Sequence, residues 1–359
     1  MTAEMSEVIA GGFSASSEAG ARRPLPQDNV MAGLGCLAAT QRSMLLANVQ
    51  CSSHHHADGR TENMAEHNFG LALLSAEIAS QTNDVDPGHA AVLAVVNQLE
   101  TVEFSASPYG SVAPLPSHIL ELAAELRDQS SDEAQIVRSV DQRWRAGLLP
   151  ESLAGMQRRI SEMSGIERIP RFTPERRENN AEHSYMHTLV AMELSRHYHP
   201  DSDIGRLVLY CLGHDLIETV TGDIPTMIID DASLASKCAT EQAHLPELLD
   251  TLPPYIRQMV EEYEAQVGFD VRLVRLMDKL LPTCVDIIGP GELVVSSNFG
   301  IYTRSALQAV CDSLNVRYKS MFGEPKFDTV HAVHDQLQSI QVAQMPVTRL
   351  SIASDAGVY

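Results

Sequence analysis

Compared against its own length, the chain carries three short segments that recur in the same order in both halves. Glu62-Asn-Met-Ala-Glu-His67 matches Glu178-Asn-Asn-Ala-Glu-His183 at five of six places. Val96-Asn-Gln-Leu-Glu-Thr-Val102 runs parallel to His214-Asp-Leu-Ile-Glu-Thr-Val220, and Val137-Arg-Ser-Val-Asp141 to Val274-Arg-Leu-Met-Asp278. One such match is as easily an accident of Ala-, Glu- and Val-rich helices; three in order constrain the chain to two copies of one helical unit, joined near Gly147 to Pro150. The first half is shorter between its second and third segments, where the second half continues from Gly222 with GDIPT. Nor are the copies chemically equal. Where the second has His214 and Asp215, the first has Val96 and Asn97, and neither valine nor an amide replaces an imidazole and a carboxylate as a metal ligand.

With 359 residues, 44% of them hydrophobic, the chain can bury sizeable cores. Trp144 is the sole tryptophan, and Ala, Leu, Val, Met, Glu and Gln dominate, so the expected class is all-α. The Gly-, Ser-, Ala- and Pro-rich opening (GGFSASSEAGARRPLP) is expected as a disordered tail over 1–30. A degenerate helical domain over 31–148, a second domain over 149–345 and a tail over 346–359 complete the expected organisation. A net charge of -21 argues against nucleic-acid polymers and anionic membranes as partners, though not against one bound nucleotide in a local cationic cluster. Six scattered cysteines without a CxxC pair suit a reducing cytoplasm. No segment approaches the roughly 20 apolar residues a bilayer span needs.

In the second half, Tyr185, Met186, Leu189, Val190, Met192 and Leu194 follow helical spacing, with His183 in the first turn of that helix. Ile204 to Val220 is apolar on nearly every side, a central helix with His214 and Asp215 near its end and Glu218 on their face. Asp278 interrupts an inward stripe of Val271, Val274, Leu281 and Val285, where a lone carboxylate would cost several kcal/mol unless paired, protonated or bound to a cation. Each residue alone has a plainer reading: a packed histidine, a chance His-Asp doublet, a pair of Asp278 with Arg275 or Lys279. Together, two imidazoles and two carboxylates form a mixed N/O set suited to one divalent ion among Mn, Co, Ni, Fe, Zn and Mg.

These residues resemble the HD-domain metal-dependent phosphohydrolases, in particular their 5'-deoxynucleotidase branch. The likeness spans about 155 to 290 and rests on IPRF (Ile169 to Phe172), ENNAEHS (Glu178 to Ser184), GHDLIETVTGDIPT (Gly213 to Thr226) and LMDKL (Leu276 to Leu280). It implies a tandem pair of HD-domain-like helical bundles, the first degenerate. It also implies His183, His214, Asp215 and Asp278 as ligands of the metal, Glu218 and Asp223 as catalytic acids, and Arg171 as the grip on the substrate phosphate. Lys279 and Thr226 are further candidates for substrate contact. Phe172-Thr173 follows Arg171 where the family often has Gly-Trp, a departure that touches base or sugar recognition.

The expected activity is a phosphoric monoester hydrolase: release of phosphate from a nucleoside monophosphate or close analogue by metal-activated water. Alternatives are a nucleotide triphosphohydrolase, a phosphodiesterase, or a nucleotide-binding regulator without turnover. The degenerate copy would act as a built-in partner, an internal pseudo-dimer, with further oligomerisation left open. The run His54 to His56 is expected in a solvated loop, and His187 beside the site as a supporting or packing residue rather than a ligand.

Overall fold

The computed structural model describes residues 27–56, 59–100, 114–200, 202–224, 230–289 and 299–345. Helices dominate as expected, and two short antiparallel hairpins join them. In the first half, α1 (Gln27–Leu46) leads into hairpin β1 (Gln50–His55) and β2 (Thr61–Asn63), then α2 (Met64–Ser80), α3 (Pro87–Val95), α4 (Ser117–Asp128) and α5 (Asp132–Arg145). In the second half, α6 (Ala154–Met163) leads into hairpin β3 (Glu167–Thr173) and β4 (Arg176–Asn179), then α7 (Asn180–Tyr198), α8 (Ile204–Gly213) and the single turn α9 (Glu218–Thr221). After these come α10 (Asp231–Leu249), α11 (Pro254–Glu264), α12 (Phe269–Asp278), α13 (Leu281–Ile288), α14 (Arg304–Phe322) and α15 (Asp328–Gln344). Helix α1 already begins at Gln27, inside the expected 1–30 tail; residues 1–26 and 346–359 lie outside the described residues.

Both hairpins end in the same start signal. Asn63 caps α2 and Asn179 caps α7, each closing a capping box with the glutamate three residues on, Glu66 or Glu182. The asparagine amide nitrogens then cross between the halves: Asn63 Nδ2 donates to Glu182 Oε1 and Asn179 Nδ2 to Glu66 Oε1, both at 2.8 Å. Helices α3 and α8, capped by Asp86 and Asp203, meet through their first-turn glycines. A Cβ on Gly205 would stand 2.6 Å from the Gly88 Cα, so only glycine lets these backbones touch.

The halves share one continuous core, from Ala32 in α1 to Ile340 in α15, so the sequence join near 147–150 marks no gap in the packing. Helix α1 packs on α7, α13 and α15 of the second half, while α11 and α8 pack on α2 and α3 of the first. Glu77 of α2 accepts from the backbone N–H groups of Tyr255 and Ile256 (3.0 and 3.1 Å), capping the Pro254-initiated α11 across the join. At the centre, every residue of α8 from Leu207 to Gly213 is buried, and each large apolar side chain there contributes roughly 1.5–3 kcal/mol. That helix ends at Gly213, earlier than its apolar run suggests, which leaves His214 and Asp215 on the turn just beyond it.

Candidate metal centre

Three elements converge on the C-terminal end of α8. Helix α7 supplies His183 one turn after its capping box, the turn after α8 supplies His214 and Asp215, and α12 supplies Asp278 as its last residue. His183 Nε2 lies 3.0 Å from Asp278 Oδ1 and 3.9 Å from Asp215 Oδ2. His214 Nε2 lies 3.1 Å from Asp215 Oδ2 and 3.7 Å from Asp278 Oδ1. His183, His214 and Asp278 thus bring their ligand atoms within 4.8 Å of one another, and Asp215, the fourth expected ligand, reaches both imidazoles from beside them.

The opposite ring nitrogens are anchored. His214 Nδ1 contacts the Cys211 carbonyl at 2.7 Å and His183 Nδ1 the Glu178 carboxylate at 3.3 Å, which turns both Nε2 atoms toward the cluster. Although buried, His214 Nε2 has no hydrogen-bond partner of acceptable geometry among the described residues, as expected of an atom set up to bind a cation. Burial works against a charged His214, yet the Asp215 and Asp278 carboxylates outweigh it and lift the imidazole to about 10. Burial likewise opposes charge on Asp215, but His214 and Arg168 hold its carboxyl well below the usual range. The same negative potential that holds a proton here would hold a divalent ion, and the donor set of imidazole nitrogens and carboxylate oxygens fits one.

Around this point stands a ring of buried charge. Glu218 is 3% exposed; its Oε2 accepts from Asn180 Nδ2 (2.7 Å) and its Oε1 from Lys237 Nζ (2.9 Å). Burial first, then the neighbouring Asp215, push its carboxyl above the ordinary range. Arg168 donates to Asp215 Oδ2 at 2.8 Å, and despite burial its charge is reinforced by Asp215, Asp223, Glu218 and Glu178. Lys279 Nζ pairs with Asp278 Oδ2 at 2.5 Å. Asp215, Glu218, Asp223, Arg168, Lys237 and Lys279 all face one cavity, with about 970 Å³ of empty volume including its open mouth.

Arg171 does not join them. Its guanidinium donates to the Pro174 carbonyl at the hairpin turn (3.2 Å) and is absent from the cavity wall, where Arg168 stands instead. A register shift lies between Glu167 and Arg171, and the strand presents Arg168 to the site and Arg171 to the hairpin turn. Lys237, on the polar helix α10, was also missed, and nothing in its local sequence distinguishes it. Thr226 lies outside the described residues. His187 is fully buried 4.9 Å (ring centroids) from His214, and burial, then His214, drive its pKa down, as a neutral packing residue requires. His56 is buried rather than solvated: its Nε2 lies 3.2 Å from Glu66 Oε2.

The matching residues of the first half build a different cluster. His67 Nδ1 lies 2.9 Å from Glu62 Oε2 and Nε2 lies 2.7 Å from Asp141 Oδ1, a near copy of the His183 contacts. Arg145, one turn after Asp141, fills the remaining space, donating to Asp141 Oδ1 (2.8 Å) and Cys51 Sγ (3.1 Å) and standing 3.0 Å from His67 Nε2. Burial opposes a charged His67, but Asp141 and Glu62 raise its pKa to about 9. Val96 is fully buried, and Asn97 accepts through its carbonyl from Asn68 Nδ2 at 2.7 Å.

Residues 165–298 match the HD domain family, and every member of the second-half cluster lies inside that span. That span is an HD domain, and the relatives it resembles support a metal-dependent phosphohydrolase. It is similar to the 5'-deoxynucleotidase YfbR of Shigella flexneri, 26% identical over 188 residues that cover 50% of this chain and 92% of that protein. YfbR of Escherichia coli (strain SE11) is 25% identical over the same coverage. Among solved structures, the predicted metal-dependent phosphohydrolase from Magnetospirillum magnetotacticum MS-1 aligns with 52% of this chain and 95% of its own at 24% identity and a TM-score of 0.37. No helix among the described residues is long and apolar enough to cross a membrane.

Proposed function

We propose that this chain is a phosphoric monoester hydrolase that releases phosphate from a nucleoside monophosphate or close analogue. The observation that carries this reading is the cluster of His183, His214 and Asp278, with Asp215 in reach of both imidazoles (imidazole to carboxylate 3.0–3.9 Å), on the wall of a cavity lined by cations and carboxylates. A divalent ion held by those four residues would lower the pKa of a bound water and polarise a phosphoryl oxygen. Glu218, raised in basicity by burial and steadied by Asn180 and Lys237, orients the attacking water and takes its proton. Arg168, Lys237 and Lys279 balance the phosphate charge, with Arg168 taking the part that the sequence suggested for Arg171. Asp223, just past the Gly222 turn, lines the same cavity and is the candidate to serve the leaving oxygen.

The test is a hydrolysis screen of a nucleotide panel with Mn, Co, Ni or Mg, reading phosphate, pyrophosphate and triphosphate separately. Orthophosphate from monophosphates is expected. Triphosphate release would move the assignment to a triphosphohydrolase, and nucleotide binding without turnover under every metal would make the protein a regulator.

In this reading the first half is a built-in partner without a metal of its own. The reciprocal Asn63–Glu182 and Asn179–Glu66 bonds and the Gly88–Gly205 contact support that role, since each joins matching positions of the two halves. Deleting residues 1–148 should give insoluble or inactive protein; a soluble, fully active fragment would refute it. Six free thiols suit a cytoplasmic protein.

A further inference from the structure

The cavity at the metal centre is lined by α13, α14 and α15 as well as by the charged cluster. Phe299, Leu314 and Tyr318 form part of that wall, with buried polar groups of Asp286, Gln338 and Gln341 beside them. Asp286 and Gln338 are 8% and 3% exposed. Gln341 Nε2 donates to Asp286 Oδ2 at 2.7 Å, but Asp286 Oδ1 and Gln338 Oε1 have no hydrogen-bond partner among the described residues.

Two buried acceptors without donors are costly, and each asks for an N–H or O–H from something that enters the cavity. Burial, and then the charge of Glu178, push the Asp286 carboxyl up to about 7 against the Gln341 hydrogen bond. Asp286 lies eight residues after Asp278, no more than about 12 Å at 1.5 Å per helical residue, within reach of a nucleotide whose phosphate sits at the metal centre. Flat apolar walls suit an aromatic ring, and unpaired acceptors beside them suit a ring whose edge donates.

We infer that this α13 to α15 wall of the cavity is a nucleobase subsite that selects amino-substituted bases, with Asp286 and Gln338 both accepting from the two N–H groups of one exocyclic amino group. The inference rests on the nucleotide reading above and narrows it. An exocyclic carbonyl would face these acceptors lone pair to lone pair, and the single ring N–H that comes with it can serve only one of them, so adenine is favoured over hypoxanthine and cytosine over uracil.

Adenosine against inosine, and cytidine against uridine, exchange the exocyclic amino group for a carbonyl and the adjacent bare ring nitrogen for an N–H, and as nucleosides none of them can lose a phosphate. Calorimetric binding of all four to the full-length metal-loaded protein should favour each amino member at least tenfold. Asp286→Leu should shrink both preferences to within twofold while leaving the affinity for ribose 5-phosphate unchanged. Gln338→Met, the milder change, should shrink them in the same direction and decides the matter if Asp286→Leu does not fold. Equal binding within the pairs, or ratios untouched in the folded variants, would overturn the subsite. The nucleotide screen separates the two readings: turnover of every base at one rate removes the subsite and keeps the hydrolase, whereas a tenfold binding preference without turnover removes the hydrolase and keeps the subsite.

Discussion

His67 and His183 stand at the same place in their helices and keep the same company. Each sets Nδ1 on a glutamate five residues before it and Nε2 on an aspartate from a later helix, with distances that differ by 0.4 Å or less (2.9 against 3.3 Å, 2.7 against 3.0 Å). What differs is where the chain's own cations sit. In the first half the Arg145 guanidinium sits among His67, Asp141 and Cys51. In the second half Arg168 and Lys279 pair with Asp215 and Asp278, the cluster opens on a cavity, and His214 Nε2, 3.1 Å from Asp215, makes no well-aligned hydrogen bond. A ring of buried ligands can therefore serve packing once an arginine closes it, and chemistry only where it stays open to a diffusible ion.

The hardest test of that contrast is a pair of aspartates. Asp215→Ala should reduce metal-dependent phosphate release at least about a thousandfold, because it removes a ligand and the partner of Arg168 together, while Asp141→Ala should change turnover less than about fivefold and lower the melting temperature instead. Comparable losses of turnover in both would end the distinction between an open and a closed cluster.

Next in size is a pH effect confined to the first half. His67 binds its proton more tightly folded (about 9) than at its ordinary value of 6.5, so its contribution is fully present below pH 6.5 and disappears as pH rises through 9. Urea unfolding should show wild type ahead of His67→Gln by up to about 3 kcal/mol at pH 6, and the gap should close by pH 9.5. A gap independent of pH would mean that the imidazole works there by shape alone.

The two arginines of β3 give a smaller, sharper comparison. Arg168→Leu should cost roughly thirtyfold in kcat/KM, about 2 kcal/mol of charge-assisted hydrogen bonding, and Arg171→Leu less than about threefold. The reverse order would return the phosphate grip to Arg171. Smallest are the crossing asparagines: Asn63→Ala and Asn179→Ala should each destabilise by about 1–2 kcal/mol, and the double variant should deviate from their sum if the halves share one network.

Much of this was legible beforehand because local rules carry it. The ENxAEH strings encode a cap, a box and a histidine one turn in, and both helices start where those strings say. Asp278 was visible as a carboxylate on an inward stripe, and it is indeed held by His183 and Lys279. Arg168 was obscured because choosing between it and Arg171 needs the face of β3, and a register shift in the hairpin blurs the alternation that would reveal it. Lys237 reaches Glu218 only through tertiary placement of α10. The interleaving of the halves was hidden for the same reason, since an apolar stripe on α1 says that something covers it and not which half does.

That placement of α1 carries a cost at the ribosome. The helix emerges early in synthesis, yet two of its three main neighbours, α13 and α15, are made near the end. Until they appear its apolar side has no native seat, and contacts that distant along the chain slow the search for one. Full docking of this helix must therefore wait until residue 344 has been made, and a nascent chain stalled before residue 281 would expose a sticky surface for a chaperone to hold.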